Sequence, residues 1–352
     1  MSRYQRQIIL PQIGETGQQK LAEARVLVIG AGGLGCALLP YLVSSGVGTI
    51  GIVDGDRVEA SNLHRQILFS KESIGKYKVY EAQHFLKNQN PSCAINAIAE
   101  YLNGKNALEL FTKYDLIVDA TDRIGIRYLI NDAAVLTGKP VVYGSIHRFE
   151  GQVSVFNYNN GPTYRCLFPK AAEVPSCAEA GVLGTSVGMI GMLQAQEVVK
   201  LILKTGKLLS GELLVYNTLT ADQHKFQFSK NEKISITQAF FNTEYLQDNI
   251  QVVDLDISLL KGFKLIDVRE LNEQPRIQHQ KVLELPLSTF SENWGQLDKD
   301  QAYIIFCKSG TRAKKAAAIL QEHNFKTIKV LRDSPTQVAS LLSSTSVITQ
   351  LQ

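Results

Sequence analysis

Cysteine is scarce in this chain. Five residues in 352, odd in number and widely spread, do not build a disulfide framework and suit free thiols in a reducing cytoplasm. No apolar run reaches the length of a membrane span. The N-terminus, "MSRYQRQIILPQIGETG", lacks the basic, apolar and small-residue order of a signal peptide. Charge of one sign is lacking too. A net +4 gives no electrostatic footprint for nucleic acid or for a membrane surface, so neither is expected as a partner. There is no internal repeat and no low-complexity stretch. What remains is ordinary globular composition, 45% hydrophobic, in a chain long enough for two or three domains.

The first two-thirds alternates strand and helix signals. "RVLVIG" (25–30), "TIGIVDGD" (49–56), "YDLIVDATD" (114–122), "PVVYGSI" (140–146) and "GQVSVFNY" read as strands. "GLGCALLPYLVSSG" (33–46), "KYKVYEAQHFLKNQNP" (76–91), "IRYLINDAAVLTG" (126–138) and "SVGMIGMLQAQEVVKLILKTG" (186–206) read as helices. This alternation predicts an α/β fold, a Rossmann-like, doubly wound, mostly parallel sheet over 1–230, closed by two strands near 211–228. Weak periodicity over 231–249 reads as a linker. A smaller α/β unit follows over 250–352, with strands at "KLIDVRE" (264–270), "AYIIFC" (302–307) and "TIKVL" (327–331).

Chemistry concentrates first at "VIGAGGLG". Gly30, Gly32 and Gly33 lie between a strand and a helix, where glycine permits a tight turn and close approach of a phosphate to the helix N-terminus. Asp54 ends the next strand, where a carboxylate can hold ribose hydroxyls. Glycines alone fit any nucleotide, NAD included. The downstream residues favour a triphosphate. Arg65 and Lys78 can neutralise phosphate charge as pyrophosphate leaves. Asn62, with Ser61 beside it, can hydrogen-bond ribose or phosphate. Asp122 at a strand's C-terminal end can hold Mg²⁺, which usually takes one or two carboxylates plus phosphate oxygens.

Residues 3–228 resemble the MoeB/ThiF/HesA family, prokaryotic relatives of ubiquitin-activating enzymes. "RYQRQIILPQIG", "GAGGLG", "DGDRVEASNLHRQ", "DATD", "EGQVSVF", "YRCLFP" and "PSCAEAGVLG" stand in family order. The resemblance implies adenylation of the C-terminal glycine of a ubiquitin-like sulfur carrier ending in Gly-Gly. It implies ATP and Mg²⁺ held by Gly33, Asp54, Asn62, Arg65, Lys78 and Asp122, and an Arg6 supplied across a homodimer. Arg123 departs from the family's usual asparagine. It either alters metal affinity or adds a phosphate contact. Many members bind a structural zinc with two CxxC pairs. Here Thr163 stands for the first cysteine, Cys166 is the second, and 229–236 holds none, so no zinc is expected. Cys177 matches the cysteine that sulfur-transferring relatives link covalently to the carrier, although a lone cysteine is more often a small buried residue. Cys36 and Cys93 read as packing residues.

The segment from about 250 to 343 resembles a rhodanese domain through "LIDVRE" and the loop "CKSGTR". In that loop (Cys307, Lys308, Ser309, Gly310, Thr311, Arg312) the turn's backbone N–H groups, the following helix N-terminus and Arg312 are expected to converge on the Cys307 sulfur and stabilise a persulfide anion. Four residues separate Cys307 from Arg312, against five in phosphatases of this fold, which favours sulfur over phosphate. The family's closing glycine pair and tryptophan are missing, and Trp294 lies upstream of the loop. Together the two resemblances imply an adenylyltransferase joined to a sulfurtransferase. Its sulfur donor would be an enzyme such as a cysteine desulfurase, and its pathway molybdopterin, thiamine or tRNA thiolation. The alternatives are an NAD-binding oxidoreductase and a non-catalytic scaffold for a ubiquitin-fold protein.

Overall fold

The structure is a computed structural model and describes residues 3–169, 181–246, 251–254, 262–308, 310–332 and 335–348. The chain divides into two compact units, Met1–Gln247 and Asp248–Gln352.

The first unit is built on an eight-stranded sheet. Its strands are β1 (Arg25–Ile29), β2 (Thr49–Val53), β3 (Ala94–Ile98), β4 (Leu116–Asp119), β5 (Val141–His147), β6 (Glu150–Phe156), β7 (Glu212–Asn217) and β8 (Gln223–Gln227), in the spatial order β3-β2-β1-β4-β5-β6-β7-β8. The first five are parallel, and β6, β7 and β8 add antiparallel pairs. In β1, Val26 and Val28 enter one apolar core while Leu27 and Ile29 enter the other. A strand buried on both faces must read as a continuous apolar run, which is why "RVLVI" shows no alternation. At the far edge β8, "QHKFQ", has every residue exposed.

Helices cover both faces. They are α1 (Gln5–Ile8), α2 (Gly14–Glu23), α3 (Gly33–Ser44), α4 (Lys78–Gln89), α5 (Gly104–Thr112), α6 (Ile124–Thr137), α7 (Tyr164–Leu167) and α8 (Gly184–Leu203). The strand order reverses between β1 and β4, because β2 and β3 lie to one side of β1 and β4 and β5 to the other. Such a switch point opens a crevice at the strands' C-terminal ends, where ligands bind in open α/β sheets.

The stretch read as a linker has structure of its own. Thr237 caps a short helix, α9 (Gln238–Phe241), by accepting from the Phe240 N–H at 3.1 Å, and the chain continues in a helical turn to Leu246. Phe241 is fully buried in the first unit's core with Phe111 and Leu129. Two aromatics spaced by four residues, Phe241 and Tyr245, give this segment an apolar stripe that its polar composition hides.

The second unit is a parallel sheet of β9 (Gln251–Val253), β10 (Phe263–Asp267), β11 (Val282–Glu284), β12 (Ala302–Phe306) and β13 (Ile328–Leu331), in the order β11-β10-β12-β13-β9. Two helices follow the loop after β12, α10 (Thr311–Glu322) and α11 (Pro335–Ile348). Ala313, Ala316, Ala317 and Leu320 are all fully buried, the i, i+3, i+4, i+7 face that seats α10 on the sheet. β9 and β11 have three residues each, too few to give a readable period.

Candidate functional site

In the first unit the site starts at the turn from β1 to α3. Gly30 has φ +105°, a left-handed region glycine enters freely, and a Cβ there would lie 2.7 Å from the Ala120 carbonyl oxygen. A Cβ on Gly35 would lie 2.1 Å from the Gly30 oxygen. Backbone thus closes on backbone, and the N-terminus of α3 is brought to the open end of β1 and β4. Beside Gly32, the buried Gln66 keeps an Oε1 with no hydrogen-bond donor among the described residues. A bare turn next to an orphaned polar atom fits a polar ligand seated there.

Asp54 follows β2. Its Oδ2 accepts from the Ala31 N–H and its Oδ1 from the Asp56 N–H, both at 2.8 Å, and burial pushes its carboxyl up. Asp56 is the residue that sequence reasoning passed over. Lys78, at the start of α4 and only 6% exposed, donates from Nζ to Asp56 Oδ2 at 3.0 Å, and the Tyr101 hydroxyl donates to Oδ1 at 2.5 Å. Burial works against the Asp56 carboxylate, but Lys78 and Tyr101 outweigh it and hold the carboxyl down. Arg123 joins the same group, 4.0 Å from Asp56 Oδ1 and stacked over the Tyr101 ring at 4.9 Å. The "DxD" pattern at 54 and 56 was the available signal, but two acids one residue apart are equivalent until the sheet separates them.

Arg65 lies over the turn, its Cγ 3.7 Å from a Cβ placed on Gly33, and its Nη1 donates to the Ser61 carbonyl at 3.1 Å. Asn62 is buried and accepts from the Glu59 N–H at 3.2 Å, and Ser61 is exposed and donates to Glu59 at 3.1 Å. Asp122 is exposed, with no hydrogen-bond or ion-pair partner among the described residues. The turn that carries it is held from beneath. Asp119 Oδ1 accepts from the Thr121 N–H at 3.1 Å, and Arg127 donates to the Thr121 carbonyl at 3.2 Å and to Ser145 Oγ at 3.0 Å. Burial raises the Asp119 carboxyl to about 6 despite Arg127. Neither Asp119 nor Arg127 was assigned from sequence.

The remaining expected residues lie elsewhere. Arg6 is exposed on α1, a helix tied down by Gln7, which donates to Gln18 and to the Ser45 carbonyl. Cys177 lies outside the described residues. Cys36 is buried under the glycine turn, and burial pushes its thiol up to about 12, as suits a packing residue. Cys166 takes hydrogen bonds from the Thr163 N–H and the Asn231 N–H, each at 3.4 Å, so the 229–236 stretch folds against the "TYRC" turn.

In the second unit Cys307 directly follows β12 and is 1% exposed, and the Ala313 N–H near the start of α10 donates to its Sγ at 3.4 Å. Gly310 has φ +80° and forms the N-cap, so the turn needs glycine at that place. Lys308 and Thr311 are exposed, and Ser309 lies outside the described residues. The Arg312 guanidinium makes a two-pronged ion pair with Glu273, Nη1 to Oε1 at 2.5 Å and Nη2 to Oε2 at 2.9 Å. That pairing drives the Glu273 carboxyl down to about 2. The signature "LIDVRE" has a structural role here, since the fully buried Asp267 accepts from Arg269 Nη2 at 2.7 Å.

Comparison with known proteins agrees with both units. Residues 4–236 match the ThiF family and residues 244–339 the rhodanese-like domain. The sulfur carrier protein adenylyltransferase of Thermus thermophilus is 49% identical over 244 residues, 67% of this chain and 90% of that protein. "Probable adenylyltransferase/sulfurtransferase MoeZ" of Mycobacterium tuberculosis is 38% identical over 353 residues, 92% of this chain and 89% of that protein. A crystal structure of E. coli MccB shares the fold, with a TM-score of 0.60 at 22% identity over 67% of this chain and 72% of that one. The chain therefore belongs to the ThiF family and carries a rhodanese-like domain behind its ATP-using adenylyltransferase unit.

Proposed function

We propose that the first unit adenylates the C-terminal glycine of a ubiquitin-like sulfur carrier and that the second unit supplies the sulfur that replaces the adenylate. The observation that carries this reading is the open carboxylate of Asp122 beside a turn in which Gly30 and Gly35 leave no room for a Cβ, on one chain with a cysteine bonded from the start of α10. The carrier's carboxylate oxygen attacks the α-phosphorus of ATP. A P–O bond forms, the bond to the β-phosphate oxygen breaks, and pyrophosphate leaves. Asp54, Ser61 and Asn62 hold the nucleoside. Arg65 and Lys78 face the phosphates, and Arg123 adds a third cation near Asp56. Asp122 would hold Mg²⁺, which when bound would supply charge neutralisation on the triphosphate. Arg6 reaches the phosphates of the other subunit in a homodimer.

The second half needs a sulfur already on Cys307, delivered by a cysteine desulfurase. The terminal persulfide sulfur attacks the acyl carbon. A C–S bond forms, the C–O bond to phosphate breaks, and AMP leaves. The product is an acyl disulfide joining carrier and Cys307. A second thiolate, that of Cys177, attacks the Cys307 sulfur. This forms an enzyme disulfide and expels the carrier thiocarboxylate, and a dithiol reductant then restores both thiols.

The test is a Cys307→Ser variant assayed for two activities. Carrier-dependent exchange of labelled pyrophosphate into ATP should stay at the wild-type rate. Thiocarboxylate on the carrier, read by mass spectrometry, should vanish when no sulfide is added, because serine cannot hold a persulfide. Wild-type thiocarboxylate yield from this variant would refute the sulfurtransferase half. Absence of exchange in the wild type would refute the other half and leave a scaffold.

A further inference from the structure

The chain between β4 and α6, residues 120–123, belongs to no regular element, yet its backbone is pinned along its length. Each peptide unit from Asp119 to Arg123 carries a hydrogen bond. The Asp119–Ala120 unit is held at both ends. Its N–H donates to the Ile29 carbonyl at 3.0 Å, and its carbonyl accepts from Gln194 Nε2 at 2.8 Å. Gln194 is a fully buried residue of α8 that reaches this carbonyl past a glycine of β5; a Cβ on Gly144 would lie 2.1 Å from Gln194 Cδ. The Ala120–Thr121 unit donates its N–H to Asp119 Oδ1 at 3.1 Å. In the Thr121–Asp122 unit the carbonyl accepts from Arg127 Nη2 at 3.2 Å, and the same nitrogen donates to Ser145 Oγ on β5 at 3.0 Å. The Asp122–Arg123 unit donates its N–H to Thr121 Oγ1 at 3.1 Å.

The last two units bear directly on Asp122. A peptide unit is planar, so a residue's φ and ψ follow from the orientations of the units before and after it. Arg127 fixes the unit before Asp122, and Thr121 Oγ1 fixes the unit after it. Arg127 is itself set by the sheet, with its guanidinium 5.4 Å from the centre of the Tyr143 ring on β5. The Asp122 side chain is exposed and has no hydrogen-bond or ion-pair partner among the described residues, so its direction comes from the backbone alone. The adjacent cation is drawn elsewhere: Arg123 lies 4.0 Å from Asp56 Oδ1 and over the Tyr101 ring. A bare carboxylate on an over-determined backbone suits a ligand that must be met in one direction. Mg²⁺ is such a ligand, because it demands near-ideal octahedral geometry. We propose that Arg127 and the Thr121 hydroxyl are positioning residues for adenylation, aiming the Asp122 carboxylate at the divalent cation of the bound nucleotide. The proposal rests on the role given to Asp122 above.

The experiment uses the full chain without carrier, so that nothing turns over. Mn²⁺, an oxygen-seeking octahedral stand-in for Mg²⁺, is titrated into protein saturated with a non-hydrolysable ATP analogue, and free Mn²⁺ is read by electron paramagnetic resonance. Arg127→Met removes both bonds of Nη2 and keeps a long stem. Thr121→Val keeps the shape of threonine and removes the acceptor, and Thr121→Ser restores it. Thermal unfolding checks each fold, and Thr121→Val decides the matter if Arg127→Met does not fold. Mn²⁺ should bind about 10- to 100-fold more weakly to Arg127→Met and Thr121→Val, with Thr121→Ser and the metal-free affinity for the analogue within about twofold of wild type. With carrier added, pyrophosphate exchange in the two weakened variants should fall at limiting Mg²⁺ and recover as Mg²⁺ is raised. A merely structural role would weaken metal-free analogue binding equally and would not respond to added Mg²⁺, and that result overturns the proposal. Wild-type Mn²⁺ affinity in either folded variant overturns it too. If Asp122→Ala itself binds Mn²⁺ as the wild type does, the metal role of Asp122 is what fails, and the two failures are thereby told apart.

Discussion

Glu273→Gln tests how the second unit holds its loop. Glutamine keeps one acceptor oxygen but loses the charge and the second oxygen that meets Arg312. It leaves in place an acceptor for the Glu270 N–H, now bonded to Glu273 Oε1 at 2.8 Å. Arg312 lowers the Glu273 carboxyl from an ordinary 4.5 to about 2, a difference of about 3 kcal/mol if solvent were excluded. The glutamate side chain is 27% exposed, and screening by water brings the expected loss to about 1 kcal/mol. In a unit of roughly this size that lowers the melting temperature by about 4 to 8 °C. The chain's one tryptophan, Trp294, lies in this unit and stacks on His323 with ring centres 3.8 Å apart. Its fluorescence therefore follows the second unit's unfolding without interference from the first. The sign with pH is fixed by the lowered carboxyl: the stabilisation is complete above pH 4.5 and disappears as pH falls through about 2. The gap between wild type and variant should be constant from pH 7 to about 5 and narrow towards pH 2. An unchanged melting temperature at pH 7, or a gap that widens on acidification, would refute the reasoning. Arg312→Lys should fail to restore the pair, because one ammonium cannot make two parallel bonds.

Three further outcomes are expected. Asp122→Ala should abolish carrier-dependent pyrophosphate exchange, a loss of several kcal/mol in transition-state stabilisation, and mixing it with an inactive Arg6→Ala should recover activity by subunit exchange; absence of recovery would count against Arg6 acting across a dimer. Gly35→Ala puts a Cβ 2.1 Å from the Gly30 oxygen, so the turn must open, and the thermal stabilisation that ATP gives the wild type should be lost. Metal analysis of purified protein should find less than stoichiometric zinc, and one zinc per subunit would mean that ligands besides Cys166 have been overlooked.

Where the sequence was informative, a single residue type had few other reasons to be there. Gly30 of "GAGGLG" answers to φ and to contact distance, two constraints that other residues fail, so its place in a tight turn could be read before any coordinates. The parallel strands could be read because burial on both faces leaves a short uninterrupted apolar run. Partners across the fold were not legible. Arg312 was seen, but Glu273 lies 39 residues earlier in a polar loop with nothing to single it out. Lys78 was seen, but its carboxylate is Asp56 rather than the neighbouring Asp54. The segment 237–246 read as a connector because its aromatics are too few to raise the local periodicity, and only the buried Asp132 explains why Tyr245 is fastened.

The large sheet ends at β8, and an edge strand is a template on which another strand can pair. At the centre of its five residues stands Lys225, with all five exposed. If two identical copies paired symmetrically and antiparallel along this edge, Lys225 would face Lys225, and like charges directly opposite each other repel. A foreign strand offering a carboxylate at that register would meet no such penalty. One ammonium group thus discourages the sheet from extending into a copy of itself while leaving the edge open to a strand of complementary charge.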